Sequence, residues 1–226
     1  MCFSSGLFRP SVLAAALTLT TVRGFASPET QGTGEAPPEL SALLRAIQSE
    51  KPGYVGRESN GAVVSLTVPR DIADDNSLEI IARLVSLRDL RIYAKQDQAS
   101  LTRRGIKWLG GLTNLTTLRL RCGGPLAGGI LQEVSRLRQL KELEIVACEA
   151  PSSEFASLTN LNHLVTLRVG YTRSFGDDEL RLLTSLTNLA SVELDWTSVS
   201  KNGTNILSGM RSVTNIVIGE TLPSRP

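Results

Sequence analysis

The chain has 226 residues, of which 41% are hydrophobic and only 4% aromatic, so its core must be built mainly from leucine, valine and isoleucine. Its formal net charge of +2 is too small to indicate nucleic-acid binding. Three cysteines without C-x-x-C spacing and a single histidine argue against a disulfide scaffold, a cysteine-based metal site and a histidine-based catalytic pair.

The first 26 residues have the layout of a secretory signal peptide. The apolar stretch SVLAAALTLTTV follows Arg9, and small residues at Gly24 and Ala26 precede a predicted cut before Ser27. The stretch is shorter than the about 20 apolar residues that a membrane-spanning helix needs. The alternative, a buried helix of the mature domain, fits less well because residues 27–38 form a polar linker. We therefore expect export to the periplasm, the cell surface or the medium, and no membrane span.

The segment 39–60 is predicted to be an N-terminal helical cap. Residues Glu39 to Ile47, with the sequence ELSALLRAI, carry leucines and an isoleucine at the spacing of one helix face. We expect this helix to cover the open end of the structure that follows.

Seven segments of the chain repeat the pattern Leu-x-x-Leu-x-Leu. Their first residues lie 24, 28, 25, 24, 25 and 24 residues apart, and all 21 pattern positions are apolar. A fixed period of this length is typical of repeat architectures. The pattern positions are Val63-Leu66-Val68, Leu87-Leu90-Ile92, Leu115-Leu118-Leu120, Leu140-Leu143-Ile145, Leu164-Leu167-Val169, Leu189-Val192-Leu194 and Val213-Ile216-Ile218.

A second regularity precedes the repeated pattern. Apolar residues recur at every third position, as in Leu180, Leu183 and Leu186 before Leu189. This spacing predicts a short helix or 3₁₀ turn before each strand. Asn76 and Glu79 resemble a capping box that opens one of these helices.

From residue 61 to residue 221, the chain resembles the leucine-rich-repeat family, closest to its short bacterial and cysteine-containing subtypes. The family places Asn or Cys three residues after the last strand apolar residue, where this chain has Cys148, Thr172, Thr197 and Thr221. Gly123 and Lys95 depart from that pattern and predict irregular turns. The resemblance implies an α/β solenoid of seven coils, with a parallel sheet on the concave face and short helices or 3₁₀ turns on the convex face. Residues 222–226 would form a tail.

Two cysteines, Cys122 and Cys148, fall in neighbouring repeats. A disulfide between them would suit an oxidising compartment. Because their positions within the repeat differ by one, two separate buried thiols are the favoured expectation.

Candidate binding residues are the charged and aromatic side chains that strand alternation places on the solvent side of the sheet. Arginine, tyrosine and tryptophan are enriched at interface hot spots, and arginine can clamp an anionic group. The alternative is a solvated face on which arginine and glutamate simply pair across strands. The candidates are Arg91, Tyr93, Arg119, Arg121, Glu144, Arg168, Tyr171, Glu193, Asp195 and Trp196.

No combination of residues points to catalysis. The stretch RCGGPLAGGI lacks the Gly-Lys-Ser/Thr of a phosphate loop and predicts a tight turn instead. His163 has no nearby cysteine or histidine and is expected at the surface. The pairs Asp74-Asp75 and Asp177-Asp178 are expected at helix starts, where carboxylates favour the helix dipole. We therefore expect no enzyme, no metal site and no cofactor.

Three function hypotheses remain open. The first is an exported recognition module that binds a protein or an anionic polymer through the concave sheet face. The second is a structural or surface component that self-associates through an uncapped C-terminal coil. If the N-terminus is not cleaved, a cytoplasmic adaptor becomes the third. In each case the expected partner is a protein or polymer rather than a nucleic acid.

Overall fold

The computed structural model describes residues 37–95 and 101–221. The predicted signal peptide at residues 1–26, all but the last two residues of the linker and the tail at residues 222–226 lie outside the described residues. Within the described part of the chain, no helix is long and apolar enough to cross a membrane.

The fold is mixed α/β and has a single eight-stranded sheet whose strands lie side by side in chain order. β1 pairs antiparallel with β2, and every later neighbour pairs in parallel. The strands are β1 Val55–Arg57, β2 Val63–Val68, β3 Asp89–Tyr93, β4 Thr117–Pro125, β5 Glu142–Glu149, β6 Thr166–Gly176, β7 Ser191–Ser198 and β8 Asn215–Ile218. β2 to β8 therefore fall on the seven repeated segments, one strand to each.

The apolar positions of the repeat form the core. All three positions are buried in each of the first six segments, and most of these side chains have no exposed surface. In the last segment, Val213, Ile216 and Ile218 are only partly buried. Two aromatic rings, those of Phe155 and Phe175, meet edge to face in this otherwise aliphatic core, with 5.3 Å between their centroids.

Short helices connect successive parallel strands, as the three-residue spacing predicts. Three of them continue directly into 3₁₀ turns, at Leu109–Gly111, Leu158–Asn160 and Leu183–Ser185, and a further 3₁₀ turn at Pro52–Tyr54 lies between the first helix and β1. The helices are α1 Pro38–Glu50, α2 Asp75–Ile81, α3 Arg103–Trp108, α4 Ile130–Val134, α5 Ser152–Ser157, α6 Asp177–Leu182 and α7 Lys201–Gly209.

Helix α1 covers the segment for which a helix is predicted. It buries Leu40, Leu43, Leu44 and Ile47, which occupy one face at helical spacing. Sequence reasoning missed β1, which follows α1 and adds an antiparallel strand to the first edge of the sheet.

The predicted capping box at Asn76 and Glu79 is wrong. The N-cap of α2 is Asp74, whose carboxylate accepts a hydrogen bond from the Ser77 backbone N–H at 2.7 Å. The Ser77 hydroxyl contacts the Asp74 backbone N–H at 3.1 Å. Asp74 and Ser77 therefore fill the two roles of the capping box. The prediction gave these roles to Asn76 and Glu79, which lie two residues further along the chain.

An aspartate at the start of one helix binds the start of the next helix. Asp177 in α6 accepts hydrogen bonds from the Ser200 backbone N–H at 2.8 Å and from the Ser200 hydroxyl at 2.6 Å. Asp75 in α2 binds Thr102 before α3 in the same way, at 2.8 and 2.6 Å. These bonds satisfy donors that a helix start leaves unpaired, and they join neighbouring repeats.

The first half of the glycine-rich stretch after Arg121 continues the strand, because β4 extends to Pro125, and the turn predicted between strand and helix lies at Gly128 and Gly129, directly before α4. The register between β4 and β5 shifts between Arg121 and Gly124, so β4 contains one residue more than β5 at this point. Gly123 has a φ of 73°, a left-handed conformation that suits glycine. The irregularity predicted at Gly123 is therefore confirmed as an inserted residue within a strand.

Cys122 and Cys148 form a disulfide, with 2.09 Å between their sulfur atoms and 5.0 Å between their Cα atoms. The expectation of two separate thiols is wrong. In the sequence, the two cysteines differ by one position when counted from the last strand apolar residue of each repeat. The residue inserted in β4 shifts the register between β4 and β5, so this count does not give the true alignment of the two cysteines. Cys122 is consequently buried beside Cys148, and the bond covalently joins two neighbouring repeats.

Candidate functional site

The solvent side of the parallel sheet carries the candidate residues. We call the residues that point away from the core on β2 to β8 the outward sheet face. Its central row runs straight across the sheet, because each member is the register partner of the next. This row consists of Thr67, Arg91, Arg119, Glu144, Arg168, Glu193 and Val217.

Two further rows lie toward the carboxyl ends of the strands. The first contains Tyr93, Arg121, Val146, Gly170 and Asp195, again as successive register partners. The second row contains Ala147, Tyr171 and Trp196, which directly follow Val146, Gly170 and Asp195, and all three have left-handed backbone angles. All ten predicted binding residues therefore lie on or directly beside the outward sheet face.

Arg119 is the centre of an ion-pair network. Its guanidinium lies 2.7 Å from Asp89, 2.9 Å from Glu142 and 3.5 Å from Glu144, and its side chain is only 16% exposed. Burial lowers the pKa of Arg119, but the hydrogen bonds and negative charges of Asp89 and Glu142 outweigh burial and raise the pKa above its usual value. The side chain is thus held as a cation by the protein's own carboxylates.

The network continues on both sides of Arg119. Arg168 contacts Glu142 and lies 2.6 Å from Glu193, and its hydrogen bond to Glu193 is the main reason that its pKa is raised. Arg121 lies 3.0 Å from Glu144. Sequence reasoning missed Asp89 and Glu142, although both occupy outward positions one residue before a strand apolar residue. Continuing the strand alternation backwards by two residues from Arg91 and Glu144 would have found them.

This network weakens the interpretation of the arginines as a clamp for an anionic polymer. Arg119, Arg121 and Arg168 each have a carboxylate partner within the protein. Carboxylates also outnumber arginines on β3 to β7 of the outward sheet face. The carboxylates are Asp89, Glu142, Glu144, Glu193 and Asp195, and the arginines are Arg91, Arg119, Arg121 and Arg168.

Aromatic side chains stand at two places on the face. Near its first half, the Arg121 guanidinium lies over the ring of Tyr93, 5.8 Å from the centroid. Near its second half, Tyr171 and Trp196 stack with 5.9 Å between their ring centroids and 11° between their planes. Tyr171 is 55% exposed, which makes it one of the most exposed large side chains among the described residues.

The backbone beneath the stacked pair is strained. Tyr171 and Trp196 have φ angles of 51° and 52°, a region that costs a residue other than glycine about 1–2 kcal/mol. One stacked aromatic pair contributes only about 0.5–1.5 kcal/mol beyond burial. Stacking therefore does not outweigh strain at two positions, and fold stability alone does not account for aromatic residues here.

A lone carboxylate adjoins the aromatic pair. Asp195 is exposed, and its register partner on β6 is Gly170. A Cβ atom at Gly170 would make only ordinary contacts, at 3.6 Å from the Asp195 carbonyl and 3.7 Å from Val146, so a side chain can start from this position without a clash. Asp195 accepts one hydrogen bond, from the Glu220 backbone N–H at 3.2 Å, and has no cationic partner among the described residues.

Away from the sheet face, the described part of the chain has few reactive or metal-binding side chains grouped together. A cavity of about 540 Å³ lies between the α6 and α7 repeats, and its walls include Thr184, Asn205, Ile206, Met210 and Arg211 but no carboxylate, histidine or cysteine. Within the described ranges, no group of three or more histidine, cysteine, aspartate or glutamate residues could hold a metal ion. His163 is exposed.

Comparisons with known proteins return structural likenesses only. No family model matches the chain, and no curated protein matches it. Two internalins from Listeria monocytogenes match 68% and 69% of the chain at 19% and 21% identity, each with a TM-score of 0.49. A plant peptide hormone receptor matches 69% of the chain at 17% identity, with a TM-score of 0.42. The chain spans 47% and 61% of the two internalins and 23% of the receptor.

Proposed function

We propose that this chain is an exported leucine-rich-repeat solenoid that binds a protein partner through its outward sheet face, which is the concave face of the solenoid. The pairing of each repeated segment with its neighbour in chain order supports the solenoid. The disulfide between Cys122 and Cys148 supports export, since such bonds persist in oxidising compartments.

The observation that carries the binding role is the stacking of the exposed Tyr171 on the half-buried Trp196. Tyrosine and tryptophan are the residue types that dominate protein interfaces. Their strained backbone gives no advantage to the fold, so a role outside the fold accounts for them better. A protein partner is favoured over an anionic polymer because three of the four arginines of this face, Arg119, Arg121 and Arg168, are already paired with carboxylates.

A photo-crosslinking residue placed on the face tests the proposal. With the crosslinker at Arg91 or Val217, we expect one discrete adduct with a protein of the native host, and none with the crosslinker at Arg181 on α6. Changing Gly170 to Arg adds a large side chain to the face and should abolish the adduct. Changing Gly110 to Arg, where a Cβ atom meets nothing within 4 Å, is the matched control and should leave the adduct intact.

Equal adducts from Arg91 and Arg181, or an adduct that survives Gly170→Arg, would refute binding through this face. N-terminal sequencing of the protein recovered from its host tests export separately. A mature N-terminus at Ser27 is expected, and an intact Met1 would refute cleavage.

A second candidate function is self-association through the last repeat. β8 has only β7 as a neighbour within the described residues, so one edge of this strand offers unpaired backbone groups. Val217 is 50% exposed beside the partly buried Ile216 and Ile218. Light scattering of the full chain distinguishes this candidate: a concentration-dependent increase in mass would support it, and a constant monomer mass would exclude it.

A further inference from the structure

We infer that Tyr171, Trp196 and Asp195 form a subsite for a basic side chain, an arginine or a lysine, carried by an extended segment of the protein partner. This inference rests on the proposed function and names the chemistry of the partner at one part of the outward sheet face.

The first support is the geometry of the aromatic pair. The rings of Tyr171 and Trp196 are nearly parallel, so each hides one face against the other and leaves its second face outward. On β5, the register partner of Gly170 is Val146, and Ala147 follows it. These small side chains leave room for a ligand group to lie against the ring. The electron-rich face of an aromatic ring attracts a cation within about 6 Å of its centroid.

The second support is charge. Asp195 and Glu220 are exposed carboxylates, and neither has a cationic partner in the part of the chain that the structure describes. Both lie beside Trp196. Asp195 precedes Trp196 in the chain, and the Trp196 backbone N–H donates a hydrogen bond to the Glu220 carbonyl at 2.6 Å. By contrast, the neighbouring Glu193 is already paired with Arg168 at 2.6 Å. The unpaired negative charge of the face is therefore concentrated next to its stacked aromatic pair.

The third support is that glycines flank Asp195 on both sides. Its partners in the row are Gly170 on β6 and Gly219 after β8, so no side chain from either neighbour covers the carboxylate. The carboxylate lies against Gly219, where a Cβ atom would collide with Oδ1 of Asp195. A guanidinium or ammonium group can thus reach the carboxylate beside the Trp196 ring, while the rest of the ligand segment lies against Tyr171. Such a contact combines an ion pair with a cation–π interaction.

Trp196 provides the signal for a direct test with the full-length protein. The chain has two tryptophans, and Trp108 is 42% exposed on α3, so Trp108→Phe leaves Trp196 as the sole tryptophan without disturbing the core. The probes are three capped peptides of five residues, Gly-X-Gly-X-Gly, in which X is arginine, citrulline or glutamate. Citrulline has nearly the shape of arginine but no charge.

The arginine peptide should change Trp196 fluorescence saturably, and the citrulline peptide should bind at least about fivefold more weakly. Asp195→Asn keeps an oxygen acceptor for the Glu220 N–H, and Tyr171→Leu keeps an apolar side chain. Each should weaken binding of the arginine peptide about fivefold or more. Asp178→Asn removes an equally negative side chain from α6, 87% exposed, and should leave the affinity unchanged.

Equal affinity for the arginine and citrulline peptides, no binding of either, or full affinity in both Asp195→Asn and Tyr171→Leu would overturn the inference. Preferential binding of the glutamate peptide would overturn it as well. Unchanged urea midpoints for the variants establish that they are folded. The crosslinks from Arg91 and Val217 are read independently, so their persistence alongside a failed peptide experiment would refute the basic subsite while retaining the binding role.

Discussion

Three consecutive repeats place a residue other than glycine in the left-handed region at the same position: Ala147, Tyr171 and Trp196. The backbone there is fixed by bonds between repeats, such as the Trp196 N–H to the Glu220 carbonyl. The conformation is therefore imposed by the stacking of repeats rather than chosen by the residue. Each of the three side chains has a strain cost that glycine would avoid.

For a single residue in this conformation, we predict that Ala147→Gly stabilises the protein. Glycine relieves the strain at a φ of 53°, and the expected gain is about 0.5–1 kcal/mol in the free energy of unfolding. Urea unfolding measures it. The control is Ala156→Gly in α5, where glycine should instead cost about 1 kcal/mol. A loss of stability in Ala147→Gly would show that the left-handed angle is not strained there.

Among the secondary-structure elements, neighbouring helices are joined by single aspartates. Asp177 reaches Ser200 at the start of α7, and a Cβ atom at Gly203 in that helix would lie 2.6 Å from Oδ1 of Asp177. Asp75 and Gly105 repeat this arrangement between α2 and α3. The aspartate of one repeat and the glycine of the next therefore fit together, and the close approach of the two helices depends on both residues.

A matched pair of adjacent aspartates tests the role of this contact. Asp177→Ala should lower the free energy of unfolding by about 1–2 kcal/mol, because it leaves donors at the start of α7 without a partner. Asp178→Ala removes only an exposed ion pair with Arg181 and should cost less than about 0.5 kcal/mol. Urea unfolding compares them. Equal losses would mean that charge at the start of α6, rather than the bond to Ser200, is what matters.

The disulfide joins β4 and β5 across 26 residues of sequence. In the chain-entropy model, a loop of this length stabilises the folded state by about 3 kcal/mol. We expect the double variant Cys122→Ala, Cys148→Ala to lose about that amount in urea unfolding, and dithiothreitol to lower the stability of the wild-type protein but not of the variant. Peptide mapping of unreduced protein that yields Cys122 and Cys148 as free thiols would disprove the bond.

The sequence predicts the strands well and the contacts between repeats poorly. The apolar positions of β2 to β8 follow from periodicity, because burial of one edge of each repeat requires it. The disulfide was missed because one inserted residue in β4 shifts the register, and no periodicity reveals where an insertion is accommodated. The ion pairs of Arg119 were only partly foreseen, since they depend on Asp89 and Glu142, which occupy a variable position of the repeated pattern that was not counted as part of the outward face.

In the molecule as a whole, burial is uneven along the chain. The apolar positions of the first six repeated segments are buried, whereas those of the last are partly exposed. The stability of stacked repeats is approximately a sum of contributions from each repeat and from its contacts with neighbours. Because β8 has one neighbouring strand in the described residues, the last repeat should unfold locally before the others.

Two isoleucines at the same repeat position measure this gradient. Ile145 on β5 is fully buried, and Ile218 on β8 is partly buried. Ile145→Ala should cost about 2–5 kcal/mol, and Ile218→Ala should cost clearly less because water and relaxation fill the space that it leaves. Hydrogen exchange should likewise be faster for β8 amides than for β5 amides. Equal costs would indicate that the last repeat is covered as fully as the central ones, for instance by self-association.

The left-handed positions have a consequence for how this protein can diversify. Since the conformation there belongs to the stacked backbone, exchanging the side chain alters the surface without redirecting the chain. Each of these three repeats thus presents one interchangeable residue, about 4.8 Å from the next across the sheet. A new recognition surface can be assembled by substitutions at these positions alone, one repeat at a time, while the leucines that define the fold stay untouched.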